Sequence, residues 1–121
     1  MIIDPKTSDP KNVYKLMIGS IVPRPIAFVS TQSPEGALNL APFSFFTGVS
    51  ANPPAVLFCP LVRASDAKTK DTLRNIAATK EFVVNVVSEA FAEPMNLTSA
   101  EFPPEVSEFA ESGLTPVPSQ K

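Results

Sequence analysis

Apolar positions recur along this chain at two periods, and the changes of period mark its elements. After the capping signal Ser8–Asp9–Pro10, Val13, Leu16 and Met17 fall at helical spacing, which predicts a helix over 9–18 ended by Gly19. From Pro25 the pattern becomes that of strands. Ile26 to Thr31 reads as a strand over 25–31, Ser33–Pro34–Glu35–Gly36 as a hairpin turn, and 37–41 as the returning strand. A β-rich run at 43–50 follows, then Asn52–Pro53–Pro54 and a buried strand at 55–59. Lys70–Asp71–Thr72 leads into Leu73, Ile76 and Ala77, an amphipathic helix over 70–79. The β-branched run at 82–87 is a strand. Helices at 89–97 and after Pro103–Pro104 complete the pattern, the last stopped by Gly113. In that tail helix Val106 and Phe109 share a face, whereas Glu105, Glu108 and Glu111 predict an acidic, solvated one.

Short strands joined by short turns suggest an antiparallel barrel or sandwich rather than a helical bundle. Composition agrees. Of 121 residues 14 are Pro, well above the usual share of about 5%, and Pro interrupts helices while stiffening connections. The length suits one domain, 1–121, with 44% apolar residues to build its core. A formal net charge of −2 gives no footprint for nucleic acid. No apolar run is long enough to cross a bilayer and no signal peptide is recognisable, so the cytoplasm is the expected compartment.

The absence of His removes the commonest general base and metal ligand, and one Cys excludes an internal disulfide. Cys59, in an apolar run, is expected to be a buried and inert thiol. No catalytic side chain and no metal site are therefore expected, and any redox chemistry has to come from a cofactor.

Three stretches could serve a ligand. In the first, Asn39, Ser44, Thr47 and Ser50 are interleaved with aromatic and small residues, as a planar ligand with a polar edge requires. A strand whose polar residues face water accounts for the same pattern. In the second, Arg63, Lys68 and Lys70 approach the helix at 70–79, whose first N–H groups, with Lys70 and the Thr72 hydroxyl, suit a phosphate. Simple capping by Asp71 or Thr72 with solvated cations is the alternative. In the third, Arg24 stands between Pro23 and Pro25 on stiff backbone, ready for an anion or an aromatic ring, or merely at the surface.

Taken in order, these pieces resemble a known family. Val22–Pro23–Arg24–Pro25–Ile26–Ala27–Phe28–Val29–Ser30–Thr31, then Gly36 with Asn39–Leu40–Ala41–Pro42–Phe43–Ser44–Phe45–Phe46, then Asn52–Pro53–Pro54, Lys70–Asp71–Thr72 with Asn75–Ile76, and Glu81–Phe82–Val83–Val84–Asn85 look like the signature of the flavin reductase-like family. The resemblance implies a mainly β fold, an antiparallel split β-barrel that binds FMN, with a few flanking helices. It also implies a homodimer with flavin near the interface, NADH or NADPH as hydride donor, and in some members a partner monooxygenase. A non-catalytic FMN-binding or electron-carrier protein, or a relative that holds no flavin, is the alternative.

Residue by residue, the resemblance assigns Phe28, Val29, Ser30 and Thr31, with Asn39, Ala41, Pro42 and Ser44, to the isoalloxazine and ribityl chain. Ser50, Ala51 and Asn52 go to the polar edge of the ring, Lys70 and Thr72 to the phosphate, and Arg24 to a lesser contact. Family members usually continue beyond the point reached at Lys121, so a barrel incomplete at its C-terminal side is expected.

Overall fold

A computed structural model describes residues 2–63, 66–103 and 105–120. Helix α1 (Pro10–Ser20) starts where the sequence signals it, with the Asp9 carboxylate accepting the Lys11 N–H and Pro10 in the first turn. It runs one residue past Gly19, because nothing crowds that position and the Arg24 guanidinium donates to the late carbonyl of Ile18.

Strands β1 (Ala27–Gln32) and β2 (Leu38–Phe43) form the predicted antiparallel hairpin. Its turn is built from local chemistry. Gly36 adopts a φ of 92°, and the Ser33 Oγ accepts the N–H groups of Glu35 and Ala37, both at 3.2 Å. Strand β3 (Phe46–Ala51) pairs antiparallel with β4 (Pro54–Phe58) in a second, two-stranded sheet. Helix α2 (Asp71–Thr79) follows, then β5 (Val83–Asn85), which joins the first sheet beside β1 in the order β2-β1-β5. The run at 82–87 thus yields a strand of three residues, since only Phe28 to Ser30 of β1 pairs with it. A 3-10 turn (Glu89–Phe91) leads into α3 (Ala92–Leu97), and α4 (Glu108–Ser112) ends at Gly113, whose φ is 68°. The opening of the tail helix expected at Pro103–Pro104 lies partly outside the described residues, and the helix itself starts at Glu108.

Because strand side chains alternate, the β1–β2 register sorts the first sheet into two faces. Ala27, Val29 and Phe43 form the core cluster on one face, with Ala41, Phe46, Phe58 and Val84 packed against it. The Phe43 and Phe58 rings, with centroids 5.2 Å apart, join the two sheets. Phe28 and Leu40, also buried, belong to the opposite face, where a broad cavity runs between β1, β2, β5 and the segment from Leu114 to Ser119. Cys59 is half-buried just beyond β4, a shade more open than its apolar neighbours suggested.

Candidate functional site

Three of the four buried polar side chains among the described residues, Thr31, Asn39 and Thr72, meet at one place, where α2 lies against the β1–β2 hairpin. Thr31 and Asn39 are directly opposed in the ladder, on the same face as the apolar core. Burying them there requires partners. The Thr72 hydroxyl donates to Asn39 Oδ1 at 2.6 Å, and the Thr31 hydroxyl donates to the same oxygen at 3.3 Å. Asn75, one helical turn after Thr72, donates its amide to Thr31 Oγ1 at 3.0 Å. Thr72 and Asn75 thus share a face of α2, and that face is tied to the hairpin by hydrogen bonds.

The fourth side of Asn39 is closed from far along the chain. Its Nδ2 donates to Glu108 Oε1 at 2.9 Å, and the Leu40 N–H donates to Glu108 Oε2 at 3.3 Å. Glu108 is therefore not on a solvated acidic face as its spacing with Glu105 and Glu111 predicted. Helix α4 packs on β2 through this residue, while Glu105 and Glu111 stay exposed. Burial pushes the Glu108 carboxyl above its ordinary value, helped by the charge of Asp71 and opposed by the hydrogen bonds from Leu40 and Asn39.

Beside this network stands the N-terminus of α2. Lys70 is its N-cap residue in extended conformation, and no side-chain hydrogen bond from that residue caps the helix among the described residues. The first-turn N–H groups lack intrahelical partners by geometry, and together they carry a partial positive charge. The Lys70 ammonium lies 5.5 Å from the centroid of the Phe43 ring, held over β2 by a cation–π contact. Asp71 does not cap the helix. Its carboxylate pairs with Arg63 at 2.6 Å and with Arg74, so the acid at this end is already neutralised by two guanidinium groups.

The other residues assigned from the sequence are dispersed. Val29 is wholly buried in the core and Phe28 is buried on the reverse face, so alternate residues of β1 point to different sides of the sheet. Ser30 accepts the Asn85 amide at 3.2 Å and lines the cavity on that reverse side. Ala41, Pro42 and Ser44 follow Asn39 at half-buried positions, and Ser50, Ala51 and Asn52 are exposed at the end of β3 in the other sheet. Arg24 donates to the carbonyl oxygens of Ile18 and Ile21 and sits 6.0 Å from the Phe45 ring centroid, closing α1. Thr31, Asn39, Lys70 and Thr72 are brought together. Glu108 was missed as a site residue, and no local pattern marks it.

Among the described residues no cluster of three or more His, Cys, Asp or Glu is placed to hold a metal ion. Nor is any helix there long and apolar enough to cross a membrane.

Comparison with known proteins adds the wider frame. The family pattern described as "Flavin reductase like domain" matches residues 18–121. A protein from Aquifex aeolicus (strain VF5) is 52% identical over 115 residues, covering 95% of this chain and 58% of that protein. The crystal structure of nitrilotriacetate monooxygenase component B from Bacillus cereus superposes with a TM-score of 0.89 at 42% identity, covering 99% of this chain and 58% of that one. A protein with a split barrel domain from Shewanella frigidimarina NCIMB 400 superposes with a TM-score of 0.74 at 25% identity, covering 99% of this chain and 59% of that one. The chain therefore spans just under three fifths of the length of these relatives.

Proposed function

The chain belongs to the flavin reductase-like family, with its split-barrel fold of antiparallel strands and a few helices, and from that membership we propose that it holds FMN for reduction by NADH or NADPH. The observation that carries this reading is the start of α2, where the Lys70 cation and the unpaired N–H groups of a helix converge beside β2. A phosphomonoester dianion needs that combination of a full charge and several donors.

The donor set fits FMN. Lys70 would pair with the phosphate, and the backbone N–H groups of Asp71 and Thr72 would point at it. The Thr72 hydroxyl serves the site from behind, because it is already donated to Asn39. The backbone of Ala41 and Pro42 on β2, and Ser44 just beyond its end, lead away from Asn39 and would carry the ring, with Ser50, Ala51 and Asn52 offering donors at its polar edge. Exposed Val49, Val56 and Leu57 on the β3–β4 ribbon suit a second copy of the chain, so we propose a homodimer that brings the ribbon against flavin.

When bound, FMN supplies the hydride-accepting ring. The chain supplies orientation, charge for the phosphate and exclusion of water. None of these 121 residues is His, so the roles assigned to this chain are binding and orientation rather than proton transfer by imidazole. Since one structural relative is a monooxygenase component B, we further propose that reduced flavin is passed to a partner monooxygenase.

The experiment is a fluorescence-quenching titration of the purified protein with FMN and with riboflavin, followed by NADH and NADPH oxidation in the presence of FMN. Preference for FMN together with pyridine-nucleotide oxidation supports the whole reading. FMN binding without oxidation reduces it to a flavin-holding module, and absence of binding rejects it.

A further inference from the structure

Asn39 is the pivot of the buried network, and its amide has two ends that are not interchangeable. Oδ1 accepts from the hydroxyls of Thr72 and Thr31, whereas Nδ2 donates to Glu108. An ionised carboxylate only accepts hydrogen bonds, so Glu108 dictates which end of the amide faces it. With Nδ2 committed to Glu108, Oδ1 has to face α2. Thr72, at the second position of that helix, then has an acceptor at 2.6 Å within a site that leaves it 1% exposed. The path from Glu108 through Asn39 to Thr72 crosses three elements separated widely in sequence, α4, β2 and α2. It ends two residues from Lys70.

We propose that Glu108 is a positioning residue that aligns the N-terminus of α2 for the phosphate by fixing the Asn39 amide, without touching the ligand. The proposal rests on the reading of that helix end as the FMN phosphate site. Removing the carboxylate frees Asn39 to rotate, which places Nδ2 against the Thr72 hydroxyl and lets the first turn of α2 shift. The phosphate contacts lose alignment, while contacts to the ring, carried by β2 and β3, stay.

The test measures FMN and riboflavin affinities by fluorescence quenching for the parent, Glu108→Ala, Thr72→Val, the double variant and Lys70→Ala. Glu108→Ala is expected to weaken FMN roughly two- to tenfold, the reach of one hydrogen bond of ordinary strength, and to leave riboflavin unchanged. Glu108→Gln keeps one acceptor oxygen and should restore most of the loss. In the Thr72→Val background, Glu108→Ala should add no further loss, because both act through one path.

Equal weakening of FMN and riboflavin, additive losses in the double variant, or unchanged FMN affinity in Glu108→Ala would each overturn the proposal. Lys70→Ala separates the two levels. If it lowers the FMN preference and Glu108→Ala does not, only the positioning role falls. If it leaves the FMN preference intact, the phosphate lies elsewhere and both readings fall. Should Glu108→Ala not fold, amide hydrogen exchange of Leu73 and Arg74, whose N–H groups bond the Lys70 carbonyl, decides the matter in Glu108→Met, which keeps the bulk and has no oxygen to accept from Asn39. Faster exchange there supports the path, and unchanged exchange overturns it.

Discussion

The Thr72 hydroxyl and the Asn39 side-chain carbonyl, 33 positions apart in sequence, meet at 2.6 Å inside the domain and anchor helix α2 to the β1–β2 hairpin. This contact explains why a threonine is fully buried in a protein with few large buried apolar side chains.

Thr72→Val keeps the shape of the side chain and removes the donor. Asn39 Oδ1 then retains only the longer bond from Thr31. The expected loss is about 1–3 kcal/mol of stability, the cost of a buried acceptor left undersatisfied. Thr72→Ser, which keeps the hydroxyl, should lose less. Urea unfolding of both variants checks this, and equal stability of parent and Thr72→Val would refute it.

The pH dependence of stability should carry the signature of Glu108. Its folded pKa is raised above the ordinary value because the carboxyl is removed from water. A raised pKa means the folded state prefers the protonated form, so the favourable contribution is complete below the unfolded value of about 4.3. It is lost as pH rises through the folded pKa. Relative to Glu108→Gln, which does not titrate, the parent should therefore lose stability as pH climbs through that window. Unfolding free energies of the two proteins across acidic pH give the difference directly, and a flat difference contradicts the assignment.

Lys70→Ala should weaken FMN roughly ten- to a hundredfold, the worth of one charge-assisted contact of about 1.5–3 kcal/mol. Riboflavin lacks the phosphate, so its affinity should stay the same. A parallel titration with both ligands separates a direct phosphate contact from general loss of structure.

Two glycines should respond in opposite ways to alanine. Gly36 holds a φ of 92° in the β1–β2 turn, where a Cβ is strained even though it meets nothing closer than 3.7 Å. Gly36→Ala is expected to cost about 1–2 kcal/mol. Gly48 lies in β3 with open space around it, and Gly48→Ala should be neutral or gain up to about 1 kcal/mol by restricting the unfolded chain. Thermal unfolding of the two variants should move the midpoint down for Gly36 and not down for Gly48.

The amino-acid sequence by itself determined the features that depend on a few neighbouring residues. Asp9 before Pro10 caps α1, Ser33 to Gly36 turns the first hairpin, and Gly113 ends α4. Runs of β-branched and aromatic residues located the five strands of the described residues, although Phe43 ends β2 instead of opening β3 and β5 is shorter than its run. The order of motifs indicated the family that the comparisons bear out. Short-range sterics and hydrogen bonding act wherever such residues stand, so they are legible without the fold.

What only the tertiary structure decided is how those elements meet. The alternation within β1 divides a motif that reads as continuous, sending Val29 into the core and Ser30 to the opposite side. The Thr72 hydroxyl was legible as a donor but not as one committed to Asn39. Glu108 carries the spacing of a solvated helix face, and its bond to Asn39 spans 69 positions. A carboxylate beside two others in sequence looks exposed because desolvation is costly, and only the packing of α4 on β2 supplies the donors that offset that cost.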